Sequence, residues 1–202
     1  PSIAVTATDA AGHTGVRKTA KLAATPIRSV GQACDLAGFD ACNPATAACV
    51  PNVSATVVNA GTCKAKSQLA KSECALAPEL VPGAAPIVGV TAGPSLWDAP
   101  MTCSSGDPKG RPEGVAVLHL SAPASRLTLT TALAGTNFDS VVYLLPGCGD
   151  TTAAPLGCAD DAPSGGAAAT LELTLLPAGD YLVVVDSWGA VGGSFALSAT
   201  VE

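Results

Sequence analysis

The stretch that decides the fold is TLELTLLPAGDYLVVVD, residues 170–186. Its first half alternates Leu171 and Leu173 with Glu172 and Thr174, a pattern that is typical of a strand with one buried face. Pro-Ala-Gly then supplies a turn. The second half, residues 180–186, is almost entirely apolar, which is typical of a central strand. The stretch therefore predicts two consecutive strands of a β-sheet protein.

Similar segments occur on both sides of this pair at spacings of roughly a dozen residues, separated by Gly, Pro and Asn turn signals. Short strands at regular spacing, each with one apolar face, predict a β-sandwich. The seven predicted strands are residues 87–91, 115–121, 126–131, 138–145, 170–176, 180–186 and 194–201.

The eight cysteines of the chain predict its compartment. They are widely spaced and the two histidines lie far apart, whereas zinc sites use paired C-x-x-C or nearby His ligands. An even number of cysteines in a Gly- and Pro-rich chain is typical of a disulfide framework formed in an oxidising compartment. The sequence therefore predicts an extracellular or cell-surface protein.

Residues 30–74 lack strand periodicity and hold five of the cysteines, which indicates a Cys-rich knot. Their order allows an interleaved pairing, Cys34 with Cys49 and Cys42 with Cys63, although spacing alone does not select a connectivity.

The other four cysteines suggest a local bridge and a longer one. Cys148 and Cys158 lie close together in sequence and bracket a loop between two predicted strands, so we expect a disulfide between them. Cys74 then pairs most economically with Cys103, which would tie the knot to the sandwich.

Three units follow from these patterns. Residues 1–29 contain two alternating segments around a turn and predict a β-hairpin, residues 30–85 form the disulfide knot with a Pro/Gly linker, and residues 86–202 form the sandwich. Residues 64–76 are the one predicted helix. The fold class is all-β.

Charge is divided unequally along the chain. Residues 1–75 carry seven Lys/Arg against four acids, or +3, whereas residues 76–202 carry three against twelve, or −9. An acidic second half argues against nucleic acid as a partner, because phosphate binding needs clustered Lys and Arg. No apolar run approaches the roughly 20 residues of a membrane helix, so we expect no membrane insertion.

Three motifs in the second half resemble a known family. They are NFDSVVYLL (137–145), CADDAP (158–163) and LPAGDYLVVVDSW (176–188). In this order they resemble the bacterial pre-peptidase C-terminal domain, which implies a jelly-roll-like β-sandwich appended to secreted proteases and surface proteins. The turn TATDAAGHTG (6–15) resembles the last hairpin of a bacterial immunoglobulin-like domain.

The acidic residues of the sandwich are the candidate metal ligands. Asp139, Asp160, Asp161 and Asp186 occupy recurrent positions of the family motifs. Carboxylate oxygens suit calcium, which takes six to eight oxygen ligands, but aspartate also caps strands and turns by accepting backbone N–H groups. Both interpretations stand, a structural calcium ion or turn chemistry, and no cofactor is required.

The chain shows no catalytic pattern. There is no G-x-S-x-G, and aromatic residues, at 3%, are too scarce for a glycosidase cleft. We therefore predict a non-catalytic extracellular binding, adhesion or spacer module, whose partner is an extracellular polymer, the cell surface or other copies of itself. Two alternatives remain: a fibre subunit assembled by β-strand addition, and a C-terminal appendage of a secreted protease.

Overall fold

The computed structural model describes residues 2–5, 18–21, 27–35, 41–52, 60–99, 103, 110–163, 165–189 and 192–202. Fifteen strands and one helix lie in these ranges. In chain order they are β1 (Ser2–Val5), β2 (Lys18–Lys21), β3 (Ile27–Arg28), β4 (Ala33–Asp35), β5 (Ala41–Cys42), β6 (Ala47–Pro51), β7 (Ala60–Ala65), α1 (Lys66–Leu76), β8 (Ile87–Val90), β9 (Gly114–Leu120), β10 (Ala124–Thr130), β11 (Ser140–Leu145), β12 (Gly157–Ala159), β13 (Thr170–Leu176), β14 (Gly179–Ser187) and β15 (Ser194–Val201).

The last eight strands form the predicted sandwich. One four-stranded sheet has the order β13-β10-β15-β8 and the other, here called the central sheet, has the order β12-β11-β14-β9. All neighbours in both sheets are antiparallel. Successive strands alternate between the two sheets except for β11 and β12, which are neighbours in the central sheet. The all-β, sandwich-like fold class is confirmed.

The central sheet is buried on both faces. Its inner face packs against the other sheet, with Leu118, Leu144 and Val183 fully buried in the shared core. Its outer face, which includes Tyr143 and Val184, is covered by α1 and by residues 94–99, here called the covering segment. Double burial explains why β11 and β14 read as apolar runs, whereas β10 and β13 alternate.

A phenylalanine ring joins the two sheets near one side of the sandwich. The ring of Phe195 lies against Gly89 in β8 and Gly114 in β9, and a Cβ atom at either glycine would come within 2.5 Å of a ring atom. Glycine is needed at both positions because the ring occupies the space that a side chain would fill.

The N-terminal elements are small. β4, β7 and β6 form an antiparallel three-stranded sheet, β3 and β5 make a short parallel pair, and β1 pairs with β2 in antiparallel register from Ser2–Lys21 to Val5–Lys18. Within the described ranges, β1 and β2 pair only with each other. Helix α1 ends at Leu76, and no helix in the described ranges is long and apolar enough to cross a membrane.

The segment that follows α1, predicted as a Pro/Gly linker, packs on the sandwich. The Leu80 N–H donates to Val117 O at 2.8 Å, and the Val117 N–H donates to Pro78 O at 2.9 Å. Leu80 is buried in the core between the sheets. These bonds occupy the outer edge of β9, so that edge of the central sheet is covered. The three predicted units themselves stay a prediction.

Most predicted elements lie within two residues of the observed ones. The strands 170–176 and 194–201 have the predicted bounds, and the helix begins at Lys66. The three-residue strand β12 was not predicted. Leu76, the last residue of the helix, is 83% exposed.

Candidate functional site

Two carboxyl groups are buried where the covering segment meets the central sheet. Glu113 directly precedes β9, and Asp186 lies near the end of β14. Because Gly114 pairs with Val185 in the sheet register, Glu113 and Asp186 occupy neighbouring positions on adjacent strands. Glu113 is 6% exposed and Asp186 is fully buried.

Backbone N–H groups of the covering segment bind these carboxylates. Glu113 Oε1 accepts hydrogen bonds from the Leu96 N–H at 2.5 Å and from the Trp97 N–H at 2.8 Å. Asp186 accepts one from the Ala99 backbone and, at Oδ1, one from the Ser187 N–H at 2.7 Å. The two side chains therefore hold the covering segment against the sheet.

Burial changes the protonation of both groups. Desolvation raises the pKa of Glu113 from 4.5 to about 8, although the N–H groups of Trp97 and Leu96 partly oppose the rise. Desolvation likewise raises the pKa of Asp186 from 3.8 to about 7. The charge of Asp186 adds to the rise in the pKa of Glu113, because negative charges repel at short range.

Three oxygen atoms in this cluster have no hydrogen-bond partner within the described ranges: Glu113 Oε2, Asp186 Oδ2 and Tyr143 Oη. Burial, followed by the charges of Asp186 and Glu113, raises the pKa of Tyr143 well above its ordinary value. A buried polar atom without a partner costs about 1–3 kcal/mol. A proton on each carboxyl lowers the cost of burial, because the neutral form loses less hydration than the carboxylate.

The predicted calcium ligands are divided between two environments. Asp139 directly precedes β11, and Asp160 and Asp161 directly follow β12; the antiparallel pairing of these strands brings both groups to the same end of the central sheet. Asp186 instead belongs to the buried carboxyl cluster. No three of these four side chains bring one oxygen each within 4.8 Å of one another, where the structure describes them.

Asp139 nevertheless has an unusual environment. Burial first, and the charge of Asp161 second, raise its pKa, and its Oδ1 atom is buried with no hydrogen-bond partner in the described residues. Asp150, also in an acidic loop, behaves as a turn residue: hydrogen bonds from the Thr152 hydroxyl and N–H lower its pKa. Turn chemistry therefore accounts for Asp150.

The disulfides of the knot follow the interleaved pairing suggested by the sequence. Cys34 is bonded to Cys49 and Cys42 to Cys63, with Cα–Cα distances of 5.9 and 5.7 Å. Their sulfur atoms, packed with Ala47, form most of the small N-terminal core.

The two remaining predictions of pairing are wrong. Cys148 is bonded to Cys74 and Cys158 to Cys103, so neither the local bridge nor the Cys74–Cys103 bridge forms. The physical reason is the covered outer face of the central sheet, where α1 carries Cys74 to the loop that follows β11. Each half of the chain thus has an interleaved pair of disulfides.

One histidine has an acidic partner. His119 Nδ1 lies 2.6 Å from Asp180 Oδ1, and both side chains are more than half exposed. This His–Asp pair is the arrangement that orients a catalytic base, but within the described residues no serine, threonine or cysteine is hydrogen-bonded to the other ring nitrogen. The pair therefore lacks a nucleophile in the part of the chain that can be described.

The two tryptophans have different roles. Trp97 is 3% exposed and its indole N–H donates to Asp150 O at 3.3 Å, which links the covering segment to the loop after β11. Trp188 is 39% exposed and its backbone N–H donates to Asp139 O at 2.9 Å. Trp188 therefore keeps part of its ring available for contact.

The sequence did not single out Glu113. It follows Arg-Pro and precedes a strand, where a charged residue is ordinarily solvated, and its burial depends on a covering segment that has no periodic pattern. The sequence feature that could have indicated the burial of Glu113 is its position directly before a strand that has apolar residues at consecutive positions.

No family model matches the sequence, and no curated protein matches it. Among solved structures the chain is similar to the pre-peptidase C-terminal domain of a collagenase from Bacillus anthracis, with 11% sequence identity and a TM-score of 0.37. The match covers 61% of this chain and 94% of that one. At this level of similarity neither a family nor a ligand is assigned.

Proposed function

We propose that the chain is a non-catalytic binding or spacer module of a secreted or cell-surface bacterial protein. The observation that carries the proposal is the pairing of all eight cysteines, with none free. Disulfides persist in oxidising compartments and are reduced in the cytosol.

The location of the ionisable groups supports a non-catalytic role. A catalytic acid or base must reach its substrate. The groups with the largest pKa changes, Glu113, Asp186 and Tyr143, are buried beneath the covering segment. The exposed His119–Asp180 pair has no hydrogen-bonded nucleophile among the described residues.

One end of the sandwich is suited to contact with a polymer. Two adjoining concave regions there share Pro123, and their walls include Val81, Leu175 and Val201. Leu175 is 83% exposed and adopts a positive φ of 57°. A leucine in this conformation is strained, and exposed apolar groups in such positions are typical of contact sites. We call this surface the apolar end.

Co-sedimentation tests the proposal with two insoluble probes, type I collagen and purified peptidoglycan. We expect the chain to sediment with at least one probe and to release no soluble fragments from it. Leu175→Ser should reduce the bound fraction several-fold, whereas Leu156→Ser, at another exposed leucine outside the apolar end, should leave it unchanged. Absence of sedimentation would remove the binding role, and release of fragments would contradict the non-catalytic assignment.

Structural calcium belongs to the same proposal. The buried, unpartnered Asp139 Oδ1 and the nearby carboxylate of Asp161 support a cation between them, with Asp160 on the same strand end. Calcium at about 1 mM, which is on the order of the dissociation constants of extracellular calcium sites, should raise the melting temperature above that measured with chelator. Asp161→Asn should reduce that rise, and Asp180→Asn should not; an equal melting temperature with and without chelator would reject the site.

A further inference from the structure

The outer edge of β8 is unpaired in the described part of the chain. Among the described strands, β8 is the last of its sheet and pairs only with β15. Thr91 N–H donates to Gly193 O at 3.0 Å, so the pair Thr91–Gly193 is hydrogen-bonded and the pair Val90–Ser194 is not. The same alternation directs the backbone N–H and C=O groups of Val88 and Val90 away from β15, towards the open edge.

This edge carries apolar side chains and borders a cavity. Val88 is 78% exposed and Val90 is 60% exposed. Beside them lies a cavity of about 250 Å³, which we call the edge groove; its walls also include Leu76, Pro78 and Phe195. Small-molecule pockets have volumes of roughly 300–1,000 Å³, so the edge groove has the size for a side chain.

Such an edge is the acceptor in β-strand addition. An extended segment adds backbone hydrogen bonds to the free edge, and its alternate side chains enter the neighbouring pockets. Natural sheets ordinarily protect their edges with charged residues or proline, and β8, Ile-Val-Gly-Val, has neither.

The chain itself contains a segment of matching length and sequence. β1 and β8 each span four residues, and Ile3 and Val5 alternate with smaller residues in β1. β1 and β2 form a two-stranded sheet with no third strand among the described residues, and a two-stranded sheet is only marginally stable in water.

Charge favours the same pairing. β2 contributes Lys18 and Lys21, whereas the described walls of the edge groove include the exposed Glu73 and no Lys or Arg. We infer that the open edge of β8 receives strand β1 of a second copy of this chain, with the edge groove taking an apolar side chain of that strand. This self-association does not depend on the proposed binding of a polymer.

The added strand β1 and the receiving edge of β8 are different surfaces of the chain. The contact is therefore heterologous and can extend beyond a dimer. Analytical ultracentrifugation of the full chain over a range of concentrations should show reversible oligomers. Val88→Lys places a charge at the contact and should raise the dissociation constant about tenfold or more. Val81→Lys is the matched control, because Val81 is 49% exposed at the apolar end.

Mixed-isotope crosslinking identifies the contact. Copies of the chain with normal isotopes (light) and with heavy isotopes are mixed and treated with a carbodiimide. This reagent joins a Lys side chain to a Glu side chain without a spacer. We expect light–heavy links from Lys18 or Lys21 to Glu73, and their loss in Ile3→Asp. A chain that remains monomeric at all concentrations, or oligomers equally stable in Val88→Lys and Val81→Lys, would overturn the inference.

Discussion

The buried carboxyl cluster makes stability depend on pH in an unusual direction. The pKa of Glu113 rises from 4.5 to about 8 in the folded protein. The difference of about 3.5 pH units corresponds to about 5 kcal/mol at 1.36 kcal/mol per unit, as an upper limit. Asp186 acts in the same direction, but the two groups interact, so their effects do not add.

The direction in which stability changes with pH follows from proton binding. Between pH 4.5 and about 8 the folded state keeps a proton on Glu113 that the unfolded state has released. A rise in pH favours the state that binds fewer protons, which is here the unfolded state. The free energy of unfolding therefore decreases as pH rises through this window. Many proteins show the opposite dependence: their carboxylates are ionised and paired in the folded state, and these proteins lose stability when the pH falls.

Glu113→Gln tests this account. The glutamine oxygen can accept the same two N–H groups of Leu96 and Trp97, but the side chain no longer ionises. We expect wild type and variant to have similar free energies of unfolding at pH 5, and the variant to be more stable by about 2–4 kcal/mol at pH 8.5, allowing for relaxation around the buried charge.

Urea denaturation followed by tryptophan fluorescence measures the difference, with chelator present so that metal ions do not contribute. Trp97 is 3% exposed and contacts this region, so it reports on it directly. Glu172→Gln, at an exposed position of β13, is the control and should show the wild-type pH dependence. A wild-type protein that is equally stable at pH 5 and pH 8.5 would refute the reasoning.

Three other predictions concern the scaffold. Replacing Cys74 and Cys148 by serine should lower the free energy of unfolding by about 4 kcal/mol, because the bridge closes a loop of 74 residues; urea titration under oxidising conditions checks it. Gly89→Ala should cost about 1–3 kcal/mol by collision with the phenylalanine ring of β15, whereas Gly189→Ala, whose Cβ would meet no atom of the described residues within 4 Å, should be close to neutral in thermal melts. Leu175→Gly should raise the melting temperature slightly, by removing roughly 1 kcal/mol of backbone strain.

The sandwich was predictable because burial in a sheet imposes a local pattern. Alternation in β13 and the apolar run of β14 are each decided by which faces of a strand are covered, and this information lies within a few consecutive residues. β12, with the sequence Gly-Cys-Ala, is too short to carry such a pattern. Its place in the sheet is decided by pairing with β11.

The disulfides outside the knot were not predictable from spacing. Closeness in sequence favoured Cys148 with Cys158, but Cys158 packs on the outer face of the central sheet together with Cys74 of α1 and Cys103. The cost of closing a loop grows only slowly with its length, so a bridge across 74 residues is disfavoured by about 2 kcal/mol relative to one across about ten, an amount that packing can offset. Tertiary packing, which the local sequence does not encode, therefore selects the partners.

The two interleaved disulfide pairs also limit how far the chain can be drawn out. When tension is applied between residues near its two ends, the bridges Cys34–Cys49 with Cys42–Cys63, and Cys74–Cys148 with Cys103–Cys158, keep most of residues 34–63 and 74–158 within closed loops even after every strand has separated. Each residue outside these loops can extend by about 3.5 Å, whereas those inside add almost no length. A tether built from this chain would therefore lengthen mainly through the residues outside 34–63 and 74–158, because the bridges still connect the chain across those ranges.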